Sequence, residues 1–438
     1  MSFFMNSIPV PLKKNSAGTP STRMGDAKIV TIPTKMHIGA PAKPIVKMGD
    51  LVKVGTLIAE ANGELSSPVH ASVSGKVTKV SEYVTANGEF VPMITITSDG
   101  EMAPCEDLTP PAVNSREDLI AAIRNSGVVG LGGAGYPTHV KYGVNLDSIE
   151  VLIVNGTECE PYITSDDHAM NECVADIEYA LGAFKKYFGF KRIIIGVGDN
   201  KKNALSNMQE IATRIEGVEV KAFPSTYSHG SEKAIVYHSL NKIIPIGKHP
   251  VDIGCLVSNV TTLAMIGKYL QTGMPLVERF VTVDGGCVKN PQCVMAPIGV
   301  SVEELLAFCG ELACEPAKVL YGGVMMGISV PNMSAPVLKT TNAVLALSEA
   351  ETKFPKETAC IRCGTCTNKC PLGLAPASIE KAYAKRDAEA LEALKVEACM
   401  ECGSCGYLCP ARRPLVQTNK LAKAYLKEVK EKEASNNG

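Results

Sequence analysis

Two stretches near the carboxyl end of the chain decide its fold: CIRCGTCTNKCP at residues 360–371 and CMECGSCGYLCP at residues 399–410. Each reads C-x2-C-x2-C-x3-C-P, and together they contain eight of the sixteen cysteines. This is the spacing of bacterial ferredoxins with two [4Fe–4S] clusters, in which the fourth cysteine of each run binds the cluster of the other run. The repeated pattern therefore predicts a C-terminal α-helical domain that carries two clusters and moves single electrons.

The crossed ligation divides the eight thiolates into two predicted ligand sets. One cluster is expected on Cys360, Cys363, Cys366 and Cys409, and the other on Cys399, Cys402, Cys405 and Cys370. Structural zinc is the first alternative, but it typically uses two separated C-x2-C pairs, whereas here three cysteines crowd into seven residues and the whole pattern occurs twice. Disulfides are the second alternative, but they need an oxidising compartment. The start MSFFMNSIPVPLKK lacks the basic and then apolar pattern of a secretory signal.

The other eight cysteines do not have cluster spacing, and we expect them to be free buried thiols. They are Cys105, Cys159, Cys173, Cys255, Cys287, Cys293, Cys309 and Cys314.

Length and composition limit the possible classes of protein. A chain of 438 residues is expected to hold three or four domains. The formal net charge of −1 gives no sign of a nucleic-acid partner. No apolar run approaches the roughly 18 to 20 residues that would span a bilayer, so the sequence predicts a soluble or peripheral protein.

Turn signals and strand patterns divide the chain into four predicted domains. Residues 1–106 alternate short β-branched runs with turns and resemble the small barrel of biotinyl and lipoyl carriers. The hairpin tip of that barrel, Asn62-Gly63-Glu64, has no lysine for a swinging arm, which favours a docking or structural role. Residues 115–275 alternate strands and helices, which predicts a largely parallel α/β sheet. Residues 280–332 are predicted as a small α+β module, and residues 350–438 as the cluster domain, with one helix over Ala377–Leu394.

A glycine-rich loop, Gly130–Gly135, satisfies G-x-G-x-x-G but follows a predicted helix that starts at Ser115. The usual dinucleotide fingerprint follows a strand and opens a helix, so we exclude it. Successive N–H groups of such a loop can bind a phosphate, and Lys141 follows at a suitable distance; a tight structural turn is the alternative. Downstream, the strand Val151–Val154 leads into a polar cluster that begins at Asn155, at the strand end where open α/β sheets bind ligands.

These elements, in this order, resemble the flavin-binding signatures of the RnfC family of Rnf electron transport complexes and, more distantly, the flavoprotein subunit of respiratory complex I. The matching stretches are GVVGLGGAGYPTHVK (127–141), NGTECEPY (155–162), YSHGSEKAI (227–235) and SNVTTL (258–263). Further matches at residues 41–60, 66–77 and 410–424 extend the resemblance over essentially the whole chain.

The resemblance implies a multidomain α/β and α+β protein: an N-terminal barrel-sandwich, a central flavin-binding domain, a β-grasp-like (SLBB-type) module and a two-cluster ferredoxin-like domain. It implies a non-covalent FMN, reduced by NADH. The implied flavin-phosphate loop is Gly132, Gly133, Gly135 and Lys141. The residues implied to face the flavin ring and nicotinamide are Asn155, Glu158 and Glu160, with Tyr227, Gly230, Ser231 and Glu232 in a second loop. Asn259, Thr261 and Thr262 are implied to lie beside the flavin phosphate and ribityl chain.

The resemblance implies electron transfer from NADH, or reversibly to NAD, through FMN to two [4Fe–4S] clusters. The chain would be the peripheral NADH-oxidising subunit of an Rnf-type ion-translocating ferredoxin:NAD oxidoreductase, on the cytoplasmic side of the membrane. Its partners would be membrane Rnf subunits or a ferredoxin-type carrier. Asn6-Ser7-Ile8-Pro9-Val10 replaces the family's Gly-Gly-Ile/Val-His-Pro, which leaves open a soluble cytoplasmic relative that feeds an amino-acid reductase such as proline reductase. A non-enzymatic scaffold is the third hypothesis.

Overall fold

The polypeptide folds into three units that contain sheets and one helical unit, which follow one another along the chain. The computed structural model describes residues 6–85, 88–146, 148–353 and 355–436, and the outermost residues of the first and last predicted domains lie outside them. Within the described residues the strands form four sheets, and no helix there combines the length and the apolar character that a bilayer span requires.

The first unit is a small barrel-sandwich of two sheets, as the turn pattern predicted. One sheet has the order β2-β8-β7-β4 and the other β3-β5-β6. The strands up to this point are β1 (Thr22–Arg23), β2 (Ile29–Pro33), β3 (Lys43–Pro44), β4 (Leu51–Val52), β5 (Leu57–Glu60), β6 (Val69–His70), β7 (Gly75–Val84) and β8 (Phe90–Ser98). Ile94 and Ile96 of β8 are fully buried and alternate with more exposed residues, which is the expected pattern of a sheet with one face on a core.

The second unit has a four-stranded parallel sheet in the order β11-β10-β9-β12, which confirms the α/β prediction. Its strands are β9 (Val151–Gly156), β10 (Arg192–Gly198), β11 (Val218–Phe223) and β12 (Cys255–Asn259). Its helices are α1 (Arg116–Asn125), α2 (Thr138–Tyr142), α3 (Ser165–Glu172), α4 (Val174–Phe188), α5 (Lys202–Arg214), α6 (Glu232–Leu240) and α7 (Val260–Thr272). Ser115 caps α1 through a capping box, as its position before the helix predicts.

The third unit is a six-stranded sheet in the order β1-β14-β13-β17-β15-β16. Its elements are β13 (Glu278–Asp284), β14 (Gln292–Pro297), α8 (Val302–Phe308), β15 (Lys318–Tyr321), β16 (Ile328–Ser329) and β17 (Ala343–Leu347). Two of its strands come from outside the predicted range 280–332. β1 arrives from the N-terminal segment and pairs with β14, and β17 lies beyond the range and pairs with β13 and β15.

The expectation of free thiols is wrong for two cysteines of this third unit. Cys287 and Cys314 form a disulfide, with their Cα atoms 5.1 Å apart. The sequence conceals this pair because 27 positions separate the two residues, and only the pairing of the segment before β15 with the turn after β13 brings them together. The remaining six are free, and Cys255, Cys293 and Cys309 among them are buried.

The C-terminal unit is helical: α9 (Glu349–Thr352), α10 (Thr365–Asn368), α11 (Pro376–Ala384), α12 (Ala388–Ala393), α13 (Ser404–Tyr407) and α14 (Leu415–Asn436). The stretch Ala377–Leu394 is helical as predicted, but it forms two helices and not one, because the chain breaks at Arg386, which has φ +56°. Asp387 then caps α12 by accepting a hydrogen bond from the N–H of Ala390. The Arg386 guanidinium stacks on Tyr383 and Tyr425, and the Tyr425 hydroxyl donates to the Arg386 carbonyl. These contacts with α14 stabilise a break that helix propensity opposes.

Helices α4 and α7 of the second unit pack closely against each other, and they approach most closely at a glycine. A Cβ added at Gly267 would lie 1.8 Å from the carbonyl oxygen of Asp176, so the helices can pack this closely only with glycine there. Gly182 of α4, by contrast, has nothing within 4 Å of the position of an added Cβ.

We predict that Gly267→Ala lowers the free energy of unfolding by about 2–3 kcal/mol, because the added methyl group forces the two helices apart. The matched change Gly182→Ala should raise it by up to about 1 kcal/mol, because alanine is the better helix former. Urea unfolding of the oxygen-free protein, followed by circular dichroism, measures both. Equal effects of the two changes would contradict the packing described here.

Candidate functional site

The glycine loop joins α1 to α2 and lies beside the start of α7. The N–H of Leu131 donates to the Thr262 hydroxyl at 2.9 Å, and a Cβ at Gly132 would lie 3.2 Å from the Asn259 amide nitrogen. Gly132, Gly133 and Ala134 are exposed. Among the described residues, none accepts a hydrogen bond from the N–H groups of these three. The loop therefore presents successive free donors, which is the geometry that binds phosphate.

Gly133 and Gly135 have φ values of +102° and +64°, which side chains rarely tolerate. The hydrogen bonds from Gly130 N–H to Tyr136 O and from Gly135 N–H to Gly130 O close the turn. The loop therefore has the backbone of a tight structural turn, and it also presents free N–H donors at its exposed edge. The two interpretations of the loop are compatible.

Lys141 lies on α2, and its ammonium group is enclosed beside strand β12 of the parallel sheet. Its Nζ donates to the Val257 carbonyl of β12 at 2.7 Å. Burial lowers the pKa of this ammonium, and the charge of Glu232 opposes that shift. The predicted phosphate lysine is therefore anchored to a strand, and the negative charge of Glu232 acts on it.

Asn155 and Asn259 stand opposite each other at the ends of the paired strands β9 and β12. The Asn155 amide donates to the Gly230 carbonyl at 2.8 Å, and its oxygen accepts from the Thr157 hydroxyl at 2.7 Å. Asn259 caps α7 by accepting from the N–H of Thr262 at 3.1 Å. The structure thus brings two of the predicted site residues together at the carboxyl edge of the sheet.

Sequence reasoning missed two charged residues at this edge, Asp166 and Lys201. The enclosed Asp166 carboxylate accepts hydrogen bonds from the Asn259 amide and from the Thr261 hydroxyl at 2.7 Å, while burial raises its pKa. Lys201, which is buried, donates to the Thr157 carbonyl at 3.0 Å. Lys201 follows the end of β10, and its position after a predicted parallel strand could have marked it as a site residue. Asp166 lies in α3, and no sequence pattern marked it.

The two acids of the Glu-Cys-Glu turn are both bound to protein N–H groups. Glu158 has φ +39°, and its carboxylate accepts from the N–H groups of Asp166 at 2.6 Å and Asp167 at 3.4 Å at the start of α3. Burial raises its pKa to about 7, and the charge of Lys14 opposes that rise. An anionic side chain is favourable at a helix N-terminus, so Glu158 has a structural role in addition to any contact with a ligand.

Glu160 reaches the loop between β15 and β16 in the third unit. Its carboxylate accepts from the N–H groups of Met325 at 3.2 Å and Met326 at 2.9 Å. A Cβ at Gly323 would lie 2.2 Å from a Glu160 oxygen, which shows how closely the loop encloses this side chain. Burial raises the pKa of Glu160 to about 7.

The second predicted loop, residues 227–232, contacts both the Glu-Cys-Glu turn and the C-terminal unit. A Cβ at Gly230 would lie 2.7 Å from the Cys159 Sγ atom, so this loop packs on the Glu-Cys-Glu turn. Ser231 caps α6, and Glu232 is exposed in its first turn. Tyr227, which the resemblance implies lies in the loop over flavin and nucleotide, donates its hydroxyl to the Cys402 carbonyl at 2.6 Å. The loop therefore connects the sheet edge with the C-terminal unit.

The eight cysteines of the two runs line two separate cavities, in the crossed sets that the spacing predicts. Cys360, Cys363, Cys366 and Cys409 line the outer cavity. Cys370, Cys399, Cys402 and Cys405 line the inner cavity. Within the described residues no three His, Cys, Asp or Glu side chains converge closely enough for a single metal ion; each set surrounds a space instead. Four thiols around one space are the donor set of a [4Fe–4S] cluster.

The two cavities differ in exposure. Cys363 of the outer set is exposed, and the neighbouring Ile361 side chain is 66% exposed. Cys405 of the inner set is buried, and burial raises its pKa to about 12. A bound metal ion deprotonates the thiols that coordinate it. The inner set is also the one that the Tyr227 hydroxyl contacts, through Cys402.

Comparisons with known proteins match each unit to a family. The RnfC barrel sandwich hybrid domain matches residues 4–101, the Nuo51 FMN-binding domain residues 123–268, the SLBB domain residues 280–329, and the 4Fe-4S dicluster domain residues 353–410. The C subunit of the Na⁺-translocating ferredoxin:NAD⁺ oxidoreductase complex of Acetobacterium woodii is 37% identical over 394 residues, which cover 88% of each chain. The chain belongs to the RnfC family.

Two further relatives agree with this assignment. The C subunit of the ion-translocating oxidoreductase complex of Rhodobacter capsulatus is 39% identical, and the match covers 91% of this chain and 78% of the relative. The C subunit of the proton-translocating ferredoxin:NAD⁺ oxidoreductase complex of Clostridium ljungdahlii is 35% identical, with coverage of 85% and 82%. The predicted family, fold class, and FMN and [4Fe–4S] domains are therefore confirmed. These matches give no support to the alternative of a soluble protein that feeds an amino-acid reductase.

Glu160 provides a pH test of this RnfC chain's geometry. The pKa of Glu160 is about 7 in the folded protein, against an ordinary value of 4.5. A carboxyl group with a raised folded pKa contributes stability that is fully present below its unfolded pKa and is lost as the pH rises through its folded pKa. Glu160→Gln keeps one acceptor oxygen, for the N–H group of either Met325 or Met326, and cannot ionise.

We therefore predict that the free energy of unfolding of the native protein falls more steeply between about pH 5 and about pH 8 than that of Glu160→Gln. Urea unfolding at several pH values measures the difference. The control is Glu428→Gln, because Glu428 is an exposed residue of α14. Parallel pH profiles for the native protein and Glu160→Gln would contradict the enclosure of the Glu160 carboxyl group.

Proposed function

We propose that this chain transfers electrons from NADH, through FMN at the carboxyl edge of the parallel sheet, to the inner cluster and then to the outer cluster. The observation that carries the proposal is the contact between the Tyr227 hydroxyl and the Cys402 carbonyl. It joins the loop at the sheet edge to a ligand loop of the inner set. The order of transfer then follows from exposure, because Cys363 of the outer set is the exposed ligand.

The residues at the sheet edge fit an FMN phosphate. The free N–H groups of Gly132, Gly133 and Ala134 are donors for its oxygens, and the N-terminus of α7 behind Asn259 and Thr262 adds a favourable dipole. When bound, FMN converts the two-electron chemistry of NADH into single-electron transfer. The side chains bind, orient and exclude water, and none is needed as a general acid or base.

The outer cavity provides the exit to a protein partner. Arg362 and Lys381 line it, so its rim is basic, and Ile361 adds an exposed apolar contact. The relatives are subunits of ion-translocating complexes, so the proposed partners are the other subunits of such a complex or a ferredoxin-type carrier. On this proposal the chain is a peripheral subunit on the cytoplasmic side of the membrane.

The proposal predicts that protein purified without oxygen binds FMN and two [4Fe–4S] clusters, and that NADH bleaches both chromophores. Iron, sulfide and flavin analysis and an absorption trace after addition of NADH measure this. A preparation that binds no flavin after FMN reconstitution, or that contains zinc in place of iron, would overturn the proposal.

The proposed order of the clusters predicts that NADH reduces the remaining cluster normally in one cysteine variant and slowly in another. In Cys363→Ala, which removes a ligand of the outer cluster, NADH should still reduce the inner cluster. In Cys405→Ala, which removes a ligand of the inner cluster, NADH should reduce the flavin, but reduction of the outer cluster should slow by about tenfold or more because its neighbour in the relay is missing. Freeze-quench EPR resolves the two signals. Equal reduction of the outer cluster in the native protein and in Cys405→Ala would contradict the order.

A further inference from the structure

Residues 6–16 lie outside the barrel-sandwich and cross the second unit to reach the inner cavity. We call them the N-terminal strap. One end of the strap contacts the loop that carries Cys370 of the inner set, and the other end contacts the Glu-Cys-Glu turn at the sheet edge. The strap therefore connects the two parts of the protein between which an electron must pass.

The first end of the strap holds the loop that contains Cys370. The Asn6 side-chain amide donates to the carbonyl of Asn368 at 2.9 Å and to that of Cys370 at 3.4 Å. The Asn6 carbonyl in turn accepts from the Ser228 hydroxyl at 3.1 Å. One asparagine thus links a ligand loop of the inner cluster to the loop that follows Tyr227.

Ile8 and Tyr227 form the centre of the connection. Their backbones pair through two hydrogen bonds, Ile8 N–H to Tyr227 O at 3.2 Å and Tyr227 N–H to Ile8 O at 2.9 Å. The two residues are only 1% and 2% exposed. The Tyr227 hydroxyl contacts the Cys402 carbonyl, and the Asn6 amide contacts the Cys370 carbonyl. The paired segments of Ile8 and Tyr227 therefore contact ligand loops from both cysteine runs.

The second end of the strap holds the turn at the sheet edge. The Lys14 ammonium donates to the carbonyls of Glu158 at 3.1 Å and Glu160 at 2.8 Å, and also to that of Ile163. The N–H of Tyr162 donates to the Leu12 carbonyl at 2.8 Å. Lys14 is half-buried as a whole, but its charged end is enclosed, and burial lowers its pKa to about 8. An enclosed cation with three carbonyl acceptors holds this turn in one position.

We propose that the N-terminal strap sets the spacing between the flavin site and the inner cluster, with Asn6 and Tyr227 as positioning residues for electron transfer. The inference rests on the proposed function. Electron transfer slows steeply as donor and acceptor separate, so a ligand loop that moves by a fraction of an ångström changes the rate. Hydrogen bonds around a cluster also tune its potential, and the Tyr227 hydroxyl and Asn6 amide are donors to the carbonyls of two ligand residues.

The test uses the full-length protein with FMN and both clusters bound. Tyr227→Phe removes only the hydroxyl group that contacts Cys402, and Asn6→Ala removes the amide that contacts Cys370. The matched control is Tyr425→Phe, because the Tyr425 hydroxyl also donates to a backbone carbonyl of the C-terminal unit, that of Arg386 at 2.8 Å. Flavin and iron content, stopped-flow absorbance after mixing with NADH, and EPR redox titration of the inner cluster are measured for each.

We expect flavin reduction by NADH to change less than about twofold in Asn6→Ala, whereas the following reduction of the inner cluster slows by about tenfold in both variants. The midpoint potential of the inner cluster should shift, and that of the outer cluster should not. If Tyr227→Phe loses iron, Asn6→Ala at full iron content provides the same measurement. Tyr425→Phe should match the native protein in all three measurements.

Two results separate failure of this inference from failure of the proposed function. If NADH reduces neither the flavin nor the clusters of the native protein, the proposed function is wrong. If NADH reduces the native protein but Tyr227→Phe and Asn6→Ala transfer electrons at the native rate with unshifted potentials, the strap only packs against the domain, and the inference is wrong.

Discussion

The crossed arrangement of eight thiols is the constraint on which the C-terminal unit depends. Each cavity takes three cysteines from one run and one from the other, so neither cluster site exists until both runs have packed together. The two short helices α10 and α13, one in each run, are too short to be stable alone. The domain therefore depends on its clusters and on the long helix α14 for stability, much as small metal domains depend on their metals.

A second constraint acts at the sheet edge, where several charged groups are enclosed in a small volume. Lys14, Glu158, Asp166 and Lys201 each have hydrogen-bond partners, which is what makes enclosed charges tolerable. Because most of these partners are backbone groups of adjoining loops, the same bonds that stabilise the charges also hold the loops in place. The same network of hydrogen bonds therefore stabilises the buried charges and positions the loops of the site.

The crossed ligand sets and the parallel sheet were predictable from the sequence, because they depend on local cysteine spacing and on strand and helix periodicity. The family and the order of the domains followed from the resemblance of several motifs to those of the RnfC family. The break at Arg386 was not predictable, because the contacts that stabilise it come from Tyr425, about 40 positions later. The Cys287–Cys314 disulfide and the pairing of β1 with β14 were missed for the same reason. In the site, Gly132, Asn155 and Asn259 meet at the predicted edge, and the contact of Tyr227 with the Cys402 loop was not predictable because about 175 positions separate the two residues.

The sequence by itself indicated which chemistry the chain can hold: cysteine spacing specifies the clusters, and the resemblance carried by the glycine loop implies a flavin-phosphate site. Only the tertiary structure decided how these parts connect. The N-terminal strap has no motif of its own, and its contacts with Cys370 and with the Glu-Cys-Glu turn join residues more than 100 positions apart. Periodicity and spacing describe neighbours along the chain, but the distance between two redox sites is set by packing between distant segments.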